Sequence, residues 1–396
     1  MNGTTTQSHP TTTSTAMTGF MPGPHCGRGT IDIIWNCLST TLLAIWVSLH
    51  LPVDSPYTPR VSASKALKKL LIDKIDVLYS YNVDWTLSWR KVFQALKGIF
   101  APEPAAAVSI YNLLEASRLK QILITSGVMG FETFSLRQAF IIQLQGVYVE
   151  DKDGVKELLT RHQLEEFALT GQLEFKDLPT NDQIADRSKT DRLLKSISVI
   201  QTLWFLANII YRLCTGLQIS LLEDFTAAYA VCGLVQLVAS FRCPQDVYQG
   251  FVIHLRPESD SPPRAHPRRR KTNPLLRKEA LGYPLLFWVV FASCSAVFVA
   301  IHLAAWNYPF PSVTEQWLWR SCSLAMLPLL VLFYLCDHFL RKDGRLTTAA
   351  AIGLNFSLGL YIIARLILIS LVFAAFRQAP VGIYKDATWT DLIPHI

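Results

Sequence analysis

The chain has 396 residues, 51% of them hydrophobic and only 17% charged, and its mean hydropathy is +0.27. A soluble domain is typically about 25% charged, so an ordinary soluble globular protein is excluded. The net charge of +7 is too modest for a nucleic-acid binder and reads instead as the asymmetry that orients a membrane protein.

In chain order, residues 1–27 are rich in Thr, Ser, Pro and Gly, and disorder is expected there. They contain no apolar core followed by a cleavage site, so no ordinary signal peptide is expected. The first membrane run covers 31–51, with Trp35 and Trp46 placed as interface anchors. Residues 53–190 are mostly polar and read as a cytosolic region with amphipathic helices. Within it, Lys65, Lys68, Lys69 and Lys74 surround a helical stripe of Leu67, Leu70, Leu71, Ile75 and Leu78. This pattern fits either a helix lying on anionic lipid or an ordinary surface helix with a solvated lysine face. Ala105 to Ile124 is apolar but broken by Glu115, Arg118 and Lys120, and reads as a marginal span or a re-entrant segment. Val155 to Leu169 reads as a helical patch carrying both signs of charge.

Two runs joined by a short turn form a helical hairpin over 193–241. A linker at 242–283 follows, dense in Pro and basic residues around Arg268, Arg269, Arg270 and Lys271. Three further runs make a three-span bundle over 285–376, and 377–396 form a short tail. Each run is about the 20 residues needed to span, or longer. Ala292, Ala296 and Ala300 share one face, as do Ala349, Gly353 and Ser357, and such small residues let helix backbones approach closely. The expected fold class is therefore all-α, a multi-pass transmembrane helical bundle of about six spans with a cytosolic insertion. Lys and Arg concentrate in the linker and at Arg341, Lys342 and Arg345, which places those loops and the insertion in the cytosol and both termini outside.

The informative residues are charged ones inside apolar runs. Arg365 sits in the uncharged stretch Leu354 to Phe376. A charge at the centre of a membrane helix costs about 2.5–3.5 kcal/mol on insertion scales and faces a bundle interior or a wet cavity. Asp32, Arg212, Glu223, Asp224, His302, Arg320 and Arg365 all fall in the outer halves of their spans. Two readings follow. One is an ion-pair network locking the helices, with Glu223 or Asp224 as the partner of Arg365. The other is a ligand-binding layer for a hydrophobic small molecule, formed by Asp32, Glu223, Asp224, His302 and Arg365. The sequence assigns no catalytic residue and no cofactor, and no metal is expected. NDQIADRSKTD, from Asn181 to Asp191, is close to a diphosphate-binding acidic motif, but each later Asp falls one position too far along and no second acidic repeat exists. No nucleophile elbow, phosphate loop or zinc-protease motif occurs.

Several stretches together carry a resemblance: GRGTIDIIWNCLSTTLLAIWVSLHLPV (27–53), FAPEPAA (100–106), ADRSKTDRLLKSISVIQTLWFLANIIYRL (185–213), IHLAAWNYPFPSVTEQWLWR (301–320), and YIIARLILISLVF with the terminal WTDLIPHI (361–396). The chain resembles a lineage-restricted family of filamentous-fungal multi-pass membrane proteins, whose members read R-G-T-x-D-I-x-W-x-C near the first span and end P-H-I. The resemblance covers most of the chain. It implies fungal origin and membrane residence, and some members are expected in secondary-metabolite gene clusters; the leading reading is an accessory or tailoring component of fungal secondary metabolism, in an endomembrane or the plasma membrane, acting on a hydrophobic intermediate. An intramembrane terpene or polyketide cyclase, a transporter and a receptor are the alternatives. It makes Arg28, Asp32, Trp35, Arg365 and His395 family-pattern positions without assigning them roles. The basic, Pro-rich linker departs from the family.

Overall fold

The structure is a computed structural model that describes residues 16–23, 27–48, 87–128, 130–150, 156–188, 192–245, 247, 249–255, 285–342 and 348–387. The lysine stripe at 65–74, the basic linker core and the terminal P-H-I lie outside the described residues.

Among the described residues, six helices are long and apolar enough to cross a membrane. They are α1 (Thr30–Ser48), α7 (Arg192–Cys214), α8 (Leu221–Ala239), α9 (Leu285–Ala304), α10 (Val313–Lys342) and α11 (Thr348–Ala374). The multi-pass helical bundle expected from the sequence is what forms. α8 is its axis: 72% of its apolar window is buried, against 22–39% in the other five. α1, α7 and α9 pack around α8, and α10 and α11 pair with each other. Small residues set the spacing. A Cβ added at Gly233 of α8 would lie 3.0 Å from the Cβ of Ala44 of α1.

The segment read as a marginal span or re-entrant stretch is a single helix, α3 (Pro102–Thr125), following α2 (Leu87–Phe100) after one residue, Ala101. α3 begins inside the bundle, between α8 and α9, with Glu103, Ala106 and Ala107 fully buried. Two features permit a helix to start there. Pro102 and Pro104 have no N–H, which removes two of the first-turn donors that would otherwise lack partners. Glu103 sets a negative charge against the positive end of the helix dipole. The second half of α3 leaves the bundle. Ala116, Leu119 and Leu123 join the separate core of an α/β domain.

That domain holds α4 (Leu136–Gln143), α5 (Arg161–Thr170) and α6 (Asn181–Arg187). Its three-stranded sheet has β2 (Val147–Glu150) in the centre, antiparallel to β3 (Lys156–Leu158) and parallel to β4 (Phe251–His254). Each of its three α-helices after α3 opens with a reciprocated capping box: Ser135 with Gln138, Thr160 with Gln163, and Thr180 with Gln183. The patch read as one helix from Val155 to Leu169 is therefore corrected. Lys156–Leu158 is a strand, and Thr160 fixes the helix start at Arg161, because its side chain accepts the Gln163 N–H only when its own backbone is extended. The acidic NDQIADR stretch is the short helix α6 of this domain, with Asp182 and Asp186 exposed.

At the opposite end of the bundle, β1 (Met17–Thr18) pairs with β5 (Ala379–Pro380), so the segments flanking the first and last spans close over the helix ends together.

The α1–α8 contact gives a direct test. Gly233→Val should lower the thermal stability of the detergent-solubilised protein, since overpacking costs about 1–3 kcal/mol. Gly359→Ala, where nothing lies within 4 Å, should be neutral or slightly stabilising. Equal midpoints for Gly233→Val and the parent protein would show that α1 and α8 are not in contact.

Candidate functional site

The polar residues of the spans fall into two separate clusters, a cap at one end of the bundle and a layer in its middle.

The cap is organised by two arginines. Arg28, just before α1, makes a bidentate pair with Glu223, Nη1 to Oε1 at 2.5 Å and Nη2 to Oε2 at 2.9 Å. Glu223 is the third residue of α8, and it also accepts from the backbone N–H and the hydroxyl of its N-cap, Ser220, at 2.8 and 2.9 Å. Arg212, at the end of α7, gives its donors to main-chain oxygens: Gln218 at 2.7 Å, Lys385 at 2.7 Å, and Gly382 and Ile383 at 3.2 Å. Arg28 Nε reaches Ile383 O as well, at 2.7 Å. The 382–385 strap is thus held by two guanidinium groups. The strap runs close to Gln218: a Cβ at Gly382 would lie 2.4 Å from Gln218 Oε1, the end of a side chain that would have to move aside. Asp32 is a local helix-start group, accepting the Gly29 N–H at 2.7 Å.

The middle layer is built on Arg365 of α11, which is fully buried. Its partner is Glu103 at the start of α3, also fully buried, through a direct Nη2–Oε1 ion pair. Tyr361, the middle residue of α11 and one turn before Arg365, bridges the pair. Its hydroxyl donates to the Glu103 carboxylate at 3.1 Å and accepts from Arg365 Nε and Nη2 at 3.1 and 2.7 Å. The guanidinium lies 4.0 Å from the centre of the Phe298 ring. Phe298 stacks on His302, and His302 stacks on Trp319 at 5.6 Å. Tyr229 and Phe225 complete the aromatic wall. Tyr229 also ties the layer to α2, its hydroxyl donating to the Ile99 carbonyl.

The pairing expected from the sequence is corrected here. Glu223 and Asp224 do not meet Arg365; Glu223 is taken by Arg28. The reason is depth. Both acids sit in the first turn of α8, whereas Arg365 lies beside Tyr229, about one and a half turns further along that helix. Asp224 is buried with no hydrogen-bond partner for its Oδ2 among the described residues. Arg320 is likewise outside the layer, donating to the Trp306 carbonyl at 2.9 and 3.0 Å between the Trp306 and Trp317 rings. Of the five residues put forward as one binding layer, His302 and Arg365 share the middle cluster. Asp32 and Glu223 belong to the cap end, and Asp224 adjoins Glu223 there.

Of the charged members of the two clusters, Glu103 and Arg28 were not among the sequence site candidates, Arg28 being only a family-pattern position there, and the bridging Tyr361 was not a candidate either. Glu103 had a visible signal, a lone carboxylate between two prolines at the head of an apolar, Ala-rich run. Arg28 lies outside the first span, where a charge needs no explanation.

The middle layer combines a carboxylate, a phenol, a guanidinium and an imidazole inside aromatic walls. His302 Nδ1 lies 3.0 Å from the Phe298 carbonyl, so Nδ1 carries the proton and Nε2 presents a lone pair. That Nε2 and Arg365 Nη1 are buried with no hydrogen-bond partner among the described residues. Among those residues no three His, Cys, Asp or Glu side chains come together as a metal site requires, and all seven described cysteines are free.

Residues 90–260 are similar to a family of unknown function (DUF8562). The matched stretch takes in Glu103, the α/β domain, α7 and α8, and leaves out Arg28, His302 and Arg365. No curated protein and no solved structure matches the chain.

The Glu103–Arg365 assignment predicts a specific coupling. Arg365→Leu or Glu103→Leu alone should destabilise by about 3–5 kcal/mol, because each strands a buried charge. The double Leu variant should recover most of that loss, whereas Arg365→Leu with Glu223→Leu should be worse than either single variant. Thermal unfolding of the set in one detergent checks this. Rescue by Glu223→Leu in place of Glu103→Leu would overturn the pairing.

Proposed function

We propose that this integral membrane protein holds a hydrophobic small molecule in the interior of its bundle, against the Glu103–Tyr361–Arg365–His302 layer. The observation that carries this reading is the pair of unsatisfied buried atoms, Arg365 Nη1 and His302 Nε2, within one aromatic enclosure. A layer serving only to clamp helices is expected to close its own hydrogen bonds, since an unpaired buried polar group costs about 1–3 kcal/mol. A bare donor and a bare acceptor fit an apolar molecule bearing an oxygen function, such as a carbonyl or hydroxyl. An accessory or tailoring role in fungal secondary metabolism rests on the sequence resemblance, and the tailoring form would use Glu103 and Tyr361 as its proton-transfer pair. The distribution of Lys and Arg supports a cytosolic α/β domain in an endomembrane or the plasma membrane.

The receptor reading is favoured by a separate observation. α3 has its first turn in the charged layer and its second half in the core of the α/β domain, so a displacement at Glu103 is delivered to that domain along one helix. A receptor would need the domain to engage an intracellular partner, and loss of that engagement on Glu103→Leu is its distinguishing result.

The binding reading is tested by extracting the purified protein with organic solvent and analysing the extract by mass spectrometry. A non-phospholipid hydrophobic molecule should accompany the parent protein. It should fall about tenfold in His302→Phe, which keeps the ring stack and removes the acceptor. Identical extracts from the two folded proteins would contradict the proposal.

A further inference from the structure

The α/β domain meets the bundle at a small basic cavity of about 60 Å³, lined by Arg137, Ala185, Ser188, Phe241, Arg242, Cys243 and Pro244. We propose that this cavity binds a phosphoryl group, with Arg137 and Arg242 as its cationic walls.

Position is the first argument. The third candidate span ends at Ala239, and Phe241 to Pro244 follow within five residues of that end. On the same side, α7 enters its span at Leu193. The two helix ends are tied together by Lys195, fully enclosed, whose Nζ donates to the Ser240 and Cys243 carbonyls at 3.2 and 3.3 Å. The cavity therefore sits at the level where a bilayer places its phosphates. Exposed apolar side chains occur at that depth: Phe241, which lines the cavity, is 42% exposed, and Leu193, at the start of the neighbouring span, 69%.

Charge is the second argument. Among the described residues, two arginines and no carboxylate line the cavity, and Arg137 also gives Nη1 to the Asn181 carbonyl at 3.4 Å. Arg242 is exposed and forms no ion pair among the described residues. Ser188 is fixed in place by Gln245, its hydroxyl accepting from Gln245 N at 3.0 Å and donating to Gln245 O at 3.1 Å. Burial pushes the Cys243 thiol up to about 12, so the thiol adds no negative charge to the wall. Guanidinium forks on the lining of a space this small suit a tetrahedral oxyanion, which they can meet with paired donors. Arg137 comes from α4 of the domain and Arg242 from the end of α8, so a bound phosphoryl group would tie domain to bundle.

The ligand is either the headgroup phosphate of an anionic phospholipid or a soluble phosphate, and the experiment separates them. The full chain is reconstituted in nanodiscs of neutral phosphatidylcholine containing a minor fraction of phosphatidic acid, then released for native mass spectrometry. Retention of phosphatidic acid over phosphatidylcholine by about tenfold, lost in Arg137→Gln/Arg242→Gln, is the expected result and assigns the site to lipid. A thermal shift with inorganic phosphate in detergent that disappears in the same variant, without lipid retention, assigns it to soluble phosphate. Arg242→Glu, a change at an exposed position, is run alongside so that a folding defect in the double variant does not decide the outcome. Absence of both effects in the parent protein, or their persistence in both folded variants, overturns the proposal.

Discussion

A single buried ion pair fixes how this chain is put together. Arg365 is carried into the bundle by the most apolar of the six candidate spans, and a charge there needs an opposite charge at the same depth. Among the described residues no other span supplies it. The partner is Glu103, brought in from outside the set of spans by α3, whose start inside the bundle is tolerable because two prolines remove first-turn donors and the carboxylate faces the helix dipole. Tyr361 completes the arrangement by accepting from one partner and donating to the other. The rest follows from that anchor. α3 is held between α8 and α9, its second half emerges as part of another core, and the α/β domain is docked on the bundle through it.

The cap at the far end shows the same economy with different chemistry. Arg212 pairs with no carboxylate among the described residues and is satisfied by four main-chain carbonyls, while Arg28 divides its donors between Glu223 and the same strap. Buried charges are thus resolved locally, each cluster within its own depth. The result is a bundle with a guanidinium-held closure at one end and a chemically richer layer at the centre, where a donor and an acceptor are left open beside aromatic rings.

The six spans were legible because length and apolarity alone determine them, and their observed bounds differ from the sequence reading by a few residues. Arg365 was legible as a buried charge for the same reason. Its partner was not, because depth was judged from position within spans and Glu103 belongs to none of the six. The sheet was hidden by size: β3 is three residues long, too short for a period-two pattern, and sits next to an amphipathic helix. The capping boxes, by contrast, were readable at Ser135, Thr160 and Thr180, each followed three residues later by Gln, and they mark the domain's helix starts correctly. His302 and Arg365 share one layer because α9 and α11 happen to meet α8 at the level of Tyr229, which is a packing outcome no spacing rule contains.

The central claim is that α3 starts within the membrane interior and leaves it. Spin labels at position 108, in its first half, and position 121, exposed in its second half, measure this in proteoliposomes through collision with oxygen, which concentrates in the bilayer, and with a water-soluble nickel chelate. The account predicts that Val108→Cys carries a label dominated by oxygen, while Gln121→Cys carries one dominated by the chelate. Chelate-dominated spectra at both positions would place the whole of α3 outside the bilayer and contradict the account.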